Sequence, residues 1–118
     1  MTTIYKIVDR TAWEDAVEEG CFTGAPVDHT DGFIHFSTAE QAGETLEKHF
    51  AGQSDLLLVA FDADSFGDEL KWEQSRGGDL FPHLYATLDP ALATAQFELA
   101  QDETGNPIMP TDDEMNAQ

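Results

Sequence analysis

The sequence predicts an α+β fold in which a mixed sheet carries two main helices. Three observations lead there. A continuous apolar run, Leu56 to Phe61, is bounded by Asp55 and Asp62; two segments repeat apolar residues at helical spacing; and the element order is strand, helix, strand, helix, then mainly strands. That order lacks the regular alternation of a doubly wound parallel fold.

Ile4 to Val8 is an apolar opening strand. Thr11 and Glu14 stand at capping-box spacing, and Trp13, Ala16 and Val17 fall on one face of a helix that Gly20 ends. Thr23 to Asp31 holds Gly24, Pro26, Asp28 and Asp31 without periodicity and reads as a loop. Gly32 to Phe36 has the aromatic and branched content of a strand that stops at Ser37.

Ser37 and Glu40 repeat the capping-box spacing, so Ser37 is expected to cap a helix whose apolar face is Ala39, Ala42, Leu46 and Phe50. Leu56 to Phe61 is too short for a typical helix and suits a central strand. After a turn-like Asp62 to Asp68, Leu70 to Ser75 reads as a strand followed by a flexible Arg76-Gly77-Gly78-Asp79. Pro82 has no amide hydrogen for a ladder, which argues against a central strand through Phe81 to Tyr85 and places it at an edge or in an extended segment.

Asp89 to Ala93 reads as one helical turn, and Ala95 to Ala100 as a final strand with Phe97 and Leu99 on one face. Gly105-Asn106-Pro107 is a turn, and beyond Pro110 the chain is polar and acidic. The expected organisation is a single domain over residues 1–110 with a mobile acidic tail at 111–118.

Twenty-four acids against five bases give the 118 residues a net charge of -19. Asp102 to Gln118 hold five of those acids and no base, leaving -14 for the rest. Nucleic-acid binding relies on Lys and Arg neutralising phosphates, and Lys6, Arg10, Lys48, Lys71 and Arg76 are scattered, so no nucleic-acid partner is expected. The same field opposes an anionic membrane surface. Without a membrane-length apolar run or a basic-plus-apolar leader, the expected location is cytoplasmic. A lone Cys21 forms no intrachain disulfide and excludes the Cys-rich zinc patterns.

Chemistry-bearing residues concentrate around two aromatic-flanked histidines. Side chains alternate along a strand, so Ile34 and Phe36 enter the core while Phe33 and His35 share the other side. Phe81, His83 and Tyr85 then project one way and Leu84 the other; Lys71, Glu73 and Ser75 lie opposite Trp72. If the strands bearing His35, Glu73 and His83 are neighbours, they form a polar pocket with aromatic walls, suited to a small molecule. The competing reading makes each histidine an ordinary strand residue bonded to backbone, and Glu73 a solvated partner of Lys71 or Arg76.

The glycines of Arg76-Gly77-Gly78 would let backbone amides approach a phosphate, although such a pair also serves simply to turn the chain. No metal is expected, because His29, His35 and His83 form no short ligand pair such as His-x-His. His49 lies off the apolar stripe of the second helix, and Gly-x-Ser-x-Gly is absent.

Ile4-Tyr5-Lys6-Ile7, Gly32-Phe33-Ile34-His35-Phe36-Ser37-Thr38, Lys71-Trp72-Glu73 and Phe81-Pro82-His83-Leu84-Tyr85 resemble, in order, the landmarks of the bacterial family called domain of unknown function 952. The resemblance runs from about Ile4 to Leu99. That family is grouped by fold with ADP-ribosyltransferase-like proteins. There is a weaker likeness to the RNA 2'-phosphotransferase branch, whose His-x-His-Leu-Ser element has Ile34-His35-Phe36-Ser37 as its counterpart here.

The resemblance implies a split, mixed sheet with a cleft that in relatives holds NAD. It implies that His35 bonds the nicotinamide ribose, that Arg76, Gly77 and Gly78 lie near the pyrophosphate, and that Glu73 stabilises positive charge at the anomeric carbon. Tyr5, Lys6, Phe33, Ser37, Thr38, Lys71, Trp72, Ser75 and Tyr85 complete the expected ligand-binding set beside His35, Glu73 and His83. The Arg-Ser-Glu and His-Tyr-Glu triads of those relatives have no intact counterpart. The expected function is small-ligand binding, NAD or another nucleotide included, with ADP-ribosyl transfer or NAD cleavage as its enzymatic form; no cofactor is assigned, NAD entering as a substrate. The alternative is a non-catalytic acidic module that meets a basic protein.

Overall fold

The computed structural model describes residues 2–24, 26–75 and 79–110. Its backbone runs β1 (Thr3–Asp9), α1 (Arg10–Glu19), α2 (Pro26–Asp31), β2 (Ile34–His35), α3 (Ala39–His49), β3 (Leu56–Asp62), β4 (Leu70–Ser75), β5 (Asp79–Leu84) and β6 (Ala93–Glu98). Short 3₁₀ turns within Ala63–Glu69, interrupted at Gly67 where φ is +58°, and Pro90–Leu92 lead into β4 and β6.

Two three-stranded sheets form, in the orders β1-β3-β6 and β2-β5-β4. Every ladder in them is antiparallel, which corrects the expectation of a mixed sheet. The reason lies in the helical connections. Parallel neighbours need a crossover within one sheet. Here α1 and α2 carry the chain from the first sheet to the second, and α3 carries it back. The sheets are joined where Tyr5 and Ser37 exchange backbone hydrogen bonds of 2.7 and 2.9 Å.

Leu56 to Phe61 is central, as its composition predicts, and both of its faces are covered. Leu57, Val59 and Phe61 point with Ile4 and Val8 toward Trp13 and Ala16 of α1 and Ile34 and Leu84 of the second sheet. Leu58 and Ala60 point with Tyr5 and Ile7 toward Ala42 and Leu46 of α3. The first sheet is therefore the middle layer of the molecule.

Several boundaries depart from the sequence expectation. Asp9, not Thr11, caps α1, accepting from the Ala12 amide at 3.1 Å. Val17 is 55% exposed rather than part of the buried face. Thr38, not Ser37, caps α3, and its capping box is closed by Gln41 instead of Glu40. Ser37 cannot take that role because its backbone is committed to Tyr5, while its Oγ lies 3.1 Å from Thr45 Oγ1.

The stretch expected as a loop contains α2, a short helix beginning at Pro26, where a missing amide hydrogen costs no helical bond. Pro82, expected at an edge, occupies the central strand β5. Its carbonyl accepts from Phe36 N at 3.0 Å, and the reciprocal bond is the one a proline cannot give. The loss is confined to the place where the chain leaves β2 for its pairing with Tyr5.

Phe61 is fully buried and meets the rings of Trp13, Phe36 and Phe66. Phe61→Ala is expected to lower stability by about 3–5 kcal/mol. The difference in urea unfolding midpoint between variant and parent measures it.

Candidate functional site

The second sheet brings the two histidines side by side. β2 pairs with β5 so that His35 stands opposite His83, and β4 pairs on the other edge so that Lys71 stands opposite His83 and Glu73 opposite Phe81. Partners in register share a face. His35, His83, Lys71 and Glu73 therefore project together on the face turned away from Ile34 and Leu84, with the imidazole centroids 5.6 Å apart.

On this face Glu73 Oε1 lies 2.9 Å from His83 Nδ1 and accepts from the Tyr85 hydroxyl at 2.5 Å. A carboxylate only accepts, so the hydrogen of this bond sits on His83 Nδ1. Phe33 closes over the group, stacked on His83 at 4.1 Å and tilted against His35 at 4.7 Å and Tyr85 at 5.3 Å. His83 is buried beneath it, while His35 and Glu73 stay part-exposed.

His35 has carboxylates at both ring nitrogens. Asp28 Oδ1 is 2.5 Å from Nδ1, and Asp31 Oδ2 is 2.8 Å from Nε2. The same Asp28 oxygen accepts from the His35 backbone amide at 3.1 Å. Beneath, Lys6 Nζ reaches Asp28 Oδ2 at 3.0 Å in an ion pair with both side chains buried. Burial pushes the Lys6 ammonium below its ordinary pKa, and Asp28 pulls it part of the way back.

Asp28 and Asp31, which the sequence does not mark as site residues, lie in the aperiodic stretch expected as a loop. The available signal was Pro26 followed by acids at three-residue spacing, which suits a short helix. Asp28 is brought to the site by α2, whose last turn closes where the Gly32 amide bonds the Asp28 carbonyl at 2.8 Å.

Of the other residues singled out, Phe33, Tyr85, Lys6 and Lys71 stand in or beside this cluster. Tyr5 points to the opposite face of the first sheet, against α3. Ser37 bonds Thr45, and Thr38 caps α3. Trp72 projects from the other face of β4, where it is 40% exposed. Arg76, Gly77 and Gly78 lie outside the described residues, as does the Ser75 side chain.

A cavity of about 290 Å³ lies elsewhere, between α3 and the final turn, lined by Gly43, Leu46, Asp102, Asn106 and Met109 among others; no residue of the histidine cluster lines it. No group of three or more His, Cys, Asp or Glu is disposed to hold a metal ion among the described residues. No helix among them is long and apolar enough to cross a membrane.

A model described as "Protein of unknown function (DUF952)" matches residues 7–95, well over half of the chain. The chain belongs to the DUF952 family. The crystal structure of protein CC0527 from Caulobacter crescentus is similar at 45% identity with a TM-score of 0.89, covering 99% of this chain and all of the other. The solution structure of the same protein is similar at 50% identity and a TM-score of 0.81, over 91% of this chain and 92% of that one. No protein of curated function matches. The DUF952 fold is thus a mixed α+β arrangement with small antiparallel sheets.

Hydrogen bonds from Tyr85 and then His83 hold the Glu73 carboxyl below its ordinary pKa, and the Glu73 bond raises Tyr85. Burial raises Tyr5, the other of the two tyrosines. Stability contributed by ionised Glu73 is present above its unfolded pKa of about 4.3 and is lost as pH falls through the lowered native value. Stability from protonated Tyr85 is present below about 10 and is lost as pH rises through its raised value. Tyrosinate absorbance of the folded parent should therefore stay low through pH 10, and Glu73→Gln should return one of the two transitions toward about 10.

Proposed function

We propose that this DUF952 protein binds a small ligand over the His35, His83 and Glu73 cluster, and that the ligand is a nucleotide of the NAD or ADP-ribose type. The observation that carries the reading is the shared face. Two imidazoles and one carboxylate from three strands meet beside an aromatic wall, with Glu73 Oε2 accepting no hydrogen bond among the described residues. Polar groups converging against aromatic rings are what a small-molecule site requires. The ADP-ribosyltransferase-like grouping that the sequence resemblance implies favours this reading, and the division of the strands into two sheets joined at Tyr5 and Ser37 is in keeping with it.

In the enzymatic form, the bond between the anomeric carbon and nicotinamide breaks with its electron pair leaving on nicotinamide. A new bond forms from that carbon to the oxygen of water or of an acceptor hydroxyl, whose proton passes to solvent. Positive charge builds on the sugar in between, and the free oxygen of an ionised Glu73 is the group to stabilise it. His35 and Phe33 would orient the sugar. Nothing in this scheme requires a metal.

Calorimetric titration with NAD and with ADP-ribose tests the binding step: heat of binding is expected, and neither heat nor a thermal shift at millimolar ligand would remove nucleotides from the proposal. For the chemical step, slow nicotinamide release should fall by about a hundredfold or more in Glu73→Gln while circular dichroism shows the fold retained. Equal rates in variant and parent would exclude Glu73 from that role.

A further inference from the structure

We infer that Asp28, anchored by Lys6, is a positioning residue that sets which nitrogen of His35 faces the ligand; the ligand part of this statement rests on the reading above. Lys6 lies on the same face of β1 as Ile4 and Val8, in the layer that is otherwise apolar core. A buried ion pair is weak evidence of a role in stability, because the cost of desolvating two charges can match or exceed their attraction. What the pair supplies is geometric. Both Asp28 oxygens contact Lys6 Nζ, and Oδ1 is left aimed at His35, where it accepts from the backbone amide and from Nδ1 together.

Those two bonds come from different parts of one residue, so they fix the ring as well as the chain. The backbone amide sets where Asp28 sits relative to β2, and Nδ1 then sets the rotation of the imidazole. The packing around Asp28 is tight. Gly24 holds a left-handed φ of +116°, and a Cβ built there would stand 2.9 Å from Asp28 Cβ, so only glycine lets α2 approach this closely.

With hydrogen held on Nδ1 toward Asp28, Nε2 is the nitrogen turned to the ligand, and it meets Asp31. Asp31 is exposed and reaches in from the end of α2. A carboxylate only accepts, so a ligand that takes the place of Asp31 at Nε2 must likewise offer an acceptor oxygen, such as a ribose hydroxyl or a phosphate.

Long-range proton–nitrogen correlation spectra of the uniformly labelled full chain, without ligand, test the inference. The chain has four histidines, and His35→Gln assigns the relevant ring. In the parent, His35 should carry hydrogen on Nδ1, far downfield and protected from solvent exchange. In Asp28→Asn that signature should weaken, and in Lys6→Met/Asp28→Asn, which leaves no uncompensated buried charge, the Nδ1 hydrogen should exchange freely with solvent.

An unprotonated or freely exchanging Nδ1 in the parent would overturn the inference whether or not any variant folds. So would unchanged His35 signals in a folded variant. Calorimetry on the parent separates the two claims: absent heat with NAD and ADP-ribose removes the nucleotide reading and leaves the Nδ1 assignment standing, while heat with an unprotonated Nδ1 removes this inference alone.

Discussion

The register of β5 between β2 and β4 is the constraint on which the candidate site depends. Pairing His83 with His35 on one edge and with Lys71 on the other puts side chains from three separate segments on a single face. A slip of one residue in either ladder would send the set of one strand through the sheet, replacing His35 by Ile34 or Phe36 and Glu73 by Trp72 or Gln74. That slip is costly because Ile34 and Leu84 are buried against Val59, Phe61 and Trp13 on the opposite side. Core packing on one face thus secures polar geometry on the other.

The join between the sheets adds a second constraint. Tyr5 and Ser37 exchange backbone bonds, so β1 runs beside the end of β2, and Lys6, one residue along, comes within reach of Asp28. The chain from Lys6 to Asp28 to His35 depends on the placement of a six-residue helix, α2, over the junction. Together these contacts make a site with its charges arranged in layers. A buried cation lies beneath a buried carboxylate, a part-exposed imidazole lies above both, and the carboxylates of Asp31 and Glu73 stand at the outer rim.

Such layering answers the difficulty posed by a net charge of -19. The acids nearest the cluster are engaged by Lys6, His35, His83 and Tyr85 rather than standing as isolated charges. Their fields are therefore partly cancelled where a ligand would approach, and Lys71 adds a cation on the same face. The overall acidity acts at longer range, where solvent and salt screen it.

Much of this was legible along the chain. Period-two alternation put His35 with Phe33 and His83 with Tyr85 on one side of their strands, and the apolar run at Leu56 to Phe61 announced a strand covered on both faces. Helix ends were less legible, since Thr11, Ser37 and Thr38 offer similar capping chemistry and only the surrounding backbone decides which hydroxyl or carboxylate is free to cap. Pro82 misled because a missing amide hydrogen is a local fact, whereas its cost depends on which neighbouring strand that position faces. By itself, then, the sequence determined the side-chain alternation, the buried middle strand and the acidic surface, because these depend on residues close together in the chain. Only the tertiary structure decided that His35, His83 and Glu73 meet and that Lys6 and Asp28 stand behind them, because contacts between distant segments arise from register and packing, which no local pattern encodes.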